Sequence, residues 1–182
     1  MYDQPVQRLL AISGSLRAAS SNTSILRAAE LLVPPGVVLE HYDDLGRLPH
    51  FNPDLEERLP PEVIGLRQRI EQAAGLVISC PEYARGIPGS FKNALDWLVG
   101  SLTFPGKRVM LINTSARASA AQAALRLVLT TMSAQVIEEA SITVDLLSNR
   151  LTPEQIVADA TTADPIRKAL ATFVAGIGAC RT

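Results

Sequence analysis

The residues best suited to hold a charged group lie between Gly14 and Asn22, in the stretch Gly-Ser-Leu-Arg-Ala-Ala-Ser-Ser-Asn. It offers hydroxyls at Ser15 and Ser20, with Thr23 just beyond, and a fixed cation at Arg17. The apolar run Leu9-Leu10-Ala11-Ile12-Ser13 before it reads as a strand, and an amphipathic helical pattern opens near Thr23. A short turn between a strand end and a helix start suits an anion, because the first helical turn leaves N–H groups unpaired and partly positive. The chemistry implied is phosphate binding. A solvated loop arginine is the ordinary alternative for Arg17, but its place among three hydroxyl residues at a helix start favours the phosphate.

Two further turns are rich in special residues. Pro81-Glu82-Tyr83-Ala84-Arg85-Gly86-Ile87-Pro88-Gly89 follows the short apolar strand Leu76 to Cys80, and Thr114 to Ala118 follows the strand Val109 to Asn113. Cys80 reads by default as a small buried apolar residue. Arg85 and Arg117 are either solvated loop arginines or candidates for a second phosphate.

The elements that must position these turns alternate regularly. Helical periodicity runs from Ile25 to Val33, from Pro61 to Ala74, along Phe91, Ala94, Leu95 and Leu98, from Ala121 to Met132, and in a last helix started by Asp164-Pro165. Thr152-Pro153-Glu154-Gln155 has the form of a capping box. Val37 to Tyr42 reads as a second strand and Val136 to Val144 as a fifth, whose Glu138 and Glu139 suit a sheet edge. Asp43 to Pro60 reads as an irregular segment placed to cover a ligand. Five strands with helical crossovers imply one α/β domain over residues 1–182, a parallel sheet covered on both faces. Ligands of such sheets bind beyond the C-terminal strand ends, where all three turns fall.

Composition narrows the function. Seventeen basic and eighteen acidic residues leave a net charge of −1, which gives no general attraction to nucleic acid or to an anionic membrane. No apolar stretch is long enough to span a bilayer, and Met1 to Arg8 has no signal-peptide pattern, so the expectation is an intracellular, cytoplasmic protein. With only Cys80 and Cys180, a disulfide framework or cysteine zinc site is excluded. There is no Gly-x-Gly-x-x-Gly after the first strand, Gly106-Lys107 fails the spacing of a P-loop, and Ser13 and Cys80 stand where a phosphorylated receiver needs acids.

Gly14-Ser15-Leu16-Arg17 with Ser20 and Asn22, and Pro81-Glu82-Tyr83 followed by Pro88-Gly89-Ser90-Phe91-Lys92-Asn93-Ala94-Leu95-Asp96-Trp97, resemble the two signatures of the NADPH-dependent FMN reductase family. The resemblance implies a flavodoxin-like three-layer sandwich with a five-stranded parallel sheet in the order 2-1-3-4-5. It implies noncovalent FMN, with the phosphate on Ser15, Arg17, Ser20, Asn22 and Thr23. Pro81, Glu82, Tyr83, Ala84 and Gly86 would lie along the isoalloxazine ring, with Ser115 contributing from the next turn. Many members carry Asn after the Tyr, where this chain has Ala84. Lys92, Asn93, Asp96 and Trp97 read as structural. The activity implied is ping-pong hydride transfer from NADPH through FMN to a small-molecule electron acceptor: a quinone, a flavin, an azo compound or a metal oxyanion. The assembly implied is a homodimer, with a homotetramer as a larger form. A flavodoxin-like electron carrier, or a flavin-binding sensor with little turnover, is the alternative; the near balance of charge speaks against a docking carrier.

Overall fold

A computed structural model describes residues 6–146 and 150–178, so Cys180 lies outside the described residues. Strands β1 (Gln7–Ser13), β2 (Val37–Tyr42), β3 (Gly75–Ser79) and β4 (Arg108–Asn113) are joined through α1 (Ser21–Leu31), α2 (Pro61–Gln72) and α3 (Gly89–Leu98). After α4 (Ser119–Thr131) come two short strands, β5 (Gln135–Val136) and β6 (Ile142–Thr143), then α5 (Pro153–Ala158) and α6 (Ala160–Gly178). All pairings are parallel in the order β2-β1-β3-β4-β5, and β6 also pairs with β4. This is the flavodoxin-like order implied by the sequence.

Alternation along the strands builds two cores. Leu10, Ile12, Leu76, Ile78, Val109 and Leu111 face the layer containing Val63, Phe91 and Leu125 of α2, α3 and α4. Their neighbours Leu9, Ala11, Val77, Met110 and Ile112 face Ile25, Ile156 and Phe173 of α1, α5 and α6. The central strands β1, β3 and β4 therefore bury both faces, and every residue of β3 is buried. Burial of this apolar surface contributes roughly 25 cal/mol per Å².

Two expectations are corrected. The fifth strand is not continuous over 136–144: Glu138–Ala140 forms a 3-10 turn that divides it. β5 pairs with Arg108 and Val109, and β6 with Ile112 and Asn113. Ser141 bridges the gap, its hydroxyl accepting from Leu111 N–H at 3.1 Å and lying 2.9 Å from the Ile137 carbonyl, to which it donates. The last helix starts at Ala160, not at Asp164-Pro165, and Pro165 lies inside it. Asp159 supplies the start instead, its carboxylate accepting from Thr161 N–H at 2.9 Å, while Asp164 pairs with Arg167. The capping box at Thr152 and Gln155 is formed as expected.

The signature residues of α3 serve the fold. Asn93 accepts from Phe51 N–H at 2.7 Å and donates to the Pro49 carbonyl at 3.0 Å. Trp97, fully buried, donates to the same carbonyl at 2.7 Å, and Phe51 packs edge-on against its ring. Together they clamp the segment after β2. Lys92 and Asp96 form an exposed pair one turn apart, worth about 0.2 to 0.5 kcal/mol.

Candidate functional site

The turns after β1, β3 and β4 meet at one edge of the sheet. Gly14 N–H donates to the Ser79 carbonyl at 2.8 Å, which draws the first turn against the end of β3. A Cβ on Gly14 would lie 3.1 Å from Cys80 Sγ and 3.3 Å from both Cys80 Cα and Phe91 Cδ1. Glycine allows that approach.

Beyond Gly14 the loop bonds to itself. Ser13 and Thr23 join their hydroxyls at 2.9 Å, Ser15 N–H donates to Ser13 Oγ at 3.3 Å, and Arg17 N–H donates to Ser15 Oγ at 3.3 Å. Thr23 is thus engaged in shaping the loop. Ser15 and Ser20 are buried, while Arg17 is exposed. Ser20 occupies the N-cap of α1 without making a side-chain cap, and the first turn of α1 holds no acidic residue. The helix start therefore keeps its donors for something else.

Asn22 joins all three turns. It is buried, and its Oδ1 accepts from Ser79 Oγ at 2.9 Å and from Thr114 Oγ1 at 3.5 Å. It also lines a cavity of about 270 Å³ whose walls include Cys80, Pro81, Glu82, Ser115 and Arg117. Ser79 and Thr114 were not singled out by sequence reasoning. Ser79 carried a usable signal, as the polar residue of a strand otherwise fully apolar and buried.

The second turn is a tight hairpin. Tyr83 and Gly86 exchange backbone hydrogen bonds of 3.1 and 3.0 Å, with Ala84 at φ +49° and Arg85 at φ +65° between them. Two consecutive left-handed residues are the pattern of a type I′ turn, which prefers Asn or Gly. Ala and Arg there cost roughly 1 kcal/mol or more each. The departure at Ala84 thus falls on the backbone as well as on a lost amide. Tyr83 is half exposed at the hairpin's start. Glu82 turns the other way: its Oε2 accepts from Ala121 N–H of α4 at 2.9 Å. Burial pushes the Cys80 thiol up to about 12, so it stays protonated at neutral pH.

The third turn is fixed from both sides. Asn113 Nδ2 donates to the Ser115 carbonyl at 2.7 Å, Arg117 N–H donates to Ser115 Oγ at 3.3 Å, and Ala116 N–H donates to Asp145 at 2.6 Å. A larger cavity of about 470 Å³ lies between Tyr42 and α2, and no residue of the three turns lines it. Among the described residues there is no cluster of His, Cys, Asp and Glu able to hold a metal, and no helix is long and apolar enough to cross a membrane.

A parallel α/β sheet with an uncapped helix start, a free arginine beside it and a cavity under the next two turns defines a mononucleotide-binding domain. The family model for NADPH-dependent FMN reductase matches residues 7–146, and the chain belongs to that family, whose cofactors are FMN and NAD(P)H. A quinone reductase of Escherichia coli K12 is 30% identical over 175 residues, covering 91% of this chain and 93% of that one. An NADPH:quinone oxidoreductase of Arabidopsis thaliana is 42% identical over 99 residues, 52% of this chain and 50% of the relative, so that match spans half of the plant protein's length. Among solved structures, the flavoenzyme NAD(P)H:(acceptor) oxidoreductase FerB of Paracoccus denitrificans superposes with a TM-score of 0.85 at 28% identity, covering 96% of this chain and 98% of that one.

The residues present fit FMN. Unpaired helix donors and a free guanidinium suit a phosphate, and a cavity bordered by backbone turns suits a planar ring.

Proposed function

We propose that this chain is an NAD(P)H-dependent oxidoreductase that binds FMN and reduces a small-molecule acceptor, a quinone first among the candidates. The observation that carries the reading is the uncapped start of α1 beside the unpaired Arg17, on the same edge as the cavity under the second and third turns. Ser15, Arg17, Ser20 and Asn22 hold the phosphate end in this reading, and Thr23 shapes the loop around it. Pro81, Glu82, Tyr83, Ala84 and Gly86 flank the ring, and Ser115 approaches it from the opposite turn. FMN, when bound, supplies reversible two-electron transfer. The protein positions it and leaves one side open through the exposed Tyr83 hairpin.

Donor and acceptor use that open side in turn, the arrangement that gives ping-pong kinetics. The quinone reductase of Escherichia coli supports a quinone acceptor by its 30% identity across 91% of this chain. A homodimer belongs to the same reading, and sedimentation of the purified protein tests it. The experiment for the activity is anaerobic: the yellow protein is mixed with NADPH and then with a benzoquinone. Bleaching by NADPH and recolouring by the quinone are expected. Bleaching by dithionite alone would identify an electron carrier or sensor, and a protein without flavin would overturn the reading.

A further inference from the structure

Most basic side chains among the described residues are bound to carboxylates or carbonyl oxygens of the fold. Five make no such bond: Arg17, Arg58, Arg85, Arg117 and Lys168. Three of these stand one on each turn of the candidate site. The acids of that edge are already taken. Glu82 accepts from Ala121 N–H, Asp145 from Ala116 N–H, and Asp43 and Asp44 pair with Arg27 and Arg47. The three guanidinium groups on this edge therefore stand without an ion-pair partner, while Glu82 and Asp145, bonded to backbone N–H groups, keep their own charge.

FMN's phosphate accounts for Arg17 and α1. It leaves Arg85 and Arg117 without a counter-ion. Arg85 shares its hairpin with the exposed Tyr83, and Arg117 borders the 270 Å³ cavity together with Glu82, whose carboxylate bonds Ala121 N–H instead. A neutral quinone has no use for two guanidinium groups. A dinucleotide donor brings a pyrophosphate and, in NADPH, a 2′-phosphate, and the planar fork of arginine matches such oxygens. We propose that Arg85 and Arg117 bind the phosphates of the incoming nicotinamide donor and make the enzyme select the 2′-phosphorylated form. The inference rests on the reductase reading above.

The test uses the FMN-loaded protein and a redox-inert fragment. Calorimetric titration with 2′,5′-ADP should show affinity about tenfold weaker in Arg117→Gln and in Arg85→Asn. Asn at 85 tolerates the left-handed backbone, so the hairpin survives the loss of charge. Lys at either position should restore part of the affinity, and Lys168→Ala on α6 should change nothing. In turnover, kcat/KM for NADPH should fall about tenfold with each variant and that for NADH should fall less, at unchanged flavin content. Undiminished 2′,5′-ADP affinity in the double variant overturns the proposal. Equal losses with NADPH and NADH assign the arginines to the pyrophosphate and overturn the selectivity. A change confined to the KM of an anionic acceptor overturns donor binding altogether. Failure of the wild type to be reduced by either nucleotide would strike the reductase reading itself, which the fragment titration does not need.

Discussion

α1 and α4 start on the same edge of the sheet, and their N-termini are treated in opposite ways. α4 receives a carboxylate from the fold, because Glu82 reaches across from the second turn to Ala121 N–H. α1 receives none: Ser20 caps nothing, the first turn has no acid, and Arg17 in the loop just before it has no carboxylate partner. A helix start costs little to satisfy with one Asp or Glu, so a start left positive beside a further cation is a place prepared for an external anion. The filled terminus locks a loop. In the proposed reading the open one takes the FMN phosphate.

The contrast is broken most readily at Arg17. Arg17→Ala should weaken FMN retention roughly 10- to 100-fold, the range expected for a lost charge-assisted bond, while Lys92→Ala should leave it unchanged. Absorbance of the two purified variants decides, and equal flavin content would remove the phosphate assignment. Filling the open terminus sharpens the contrast through opposite signs. Ser21→Asp should stabilise the flavin-free protein by about 0.3 to 1 kcal/mol and lower its FMN affinity. Thermal melts of apoprotein with and without added FMN read both effects, and a gain in both would sink the idea. The smallest effect is expected at the other helix. Glu82→Gln keeps an oxygen acceptor but removes the charge, so stability should drop by about 0.3 to 1 kcal/mol with less than a twofold change in retained flavin. A large flavin loss there would mean that α4, too, serves the cofactor directly.

How much of this could be read from the chain depends on how far apart the partners lie. Strand and helix periods are local, so a parallel sheet covered on both faces was legible, as was the phosphate loop, whose hydroxyls and arginine sit within a few residues; the strand order came only with the family resemblance. Glu82 and Ala121 are 39 residues apart, Asn22 and Ser79 are 57, and Asn22 and Thr114 are 92; nothing local marks them as neighbours. The divided fifth strand escaped for the same reason, since Ser141 acts on Leu111 across the sheet. The start of α6 escaped for a different one. Asp164-Pro165 offered the more familiar helix-start pair, and it outweighed the quieter Asp159. At Ala84 the sequence showed a missing amide, and only the backbone angle showed that the replacement also strains the hairpin.

The interruption at Glu138–Ala140 has a consequence outside the site. Beside β4 the sheet offers its margin as two strands of two residues each, turned aside between them by a segment carrying Glu138 and Glu139. Glu138 is held outward by its pair with Arg126. A foreign β-segment seeking to extend the sheet would find no straight run of free N–H and C=O groups, and a negative charge at the break. The break in the fifth strand blunts this margin of the sheet as a template for edge-to-edge pairing, whereas the opposite margin, β2, runs unbroken over six residues.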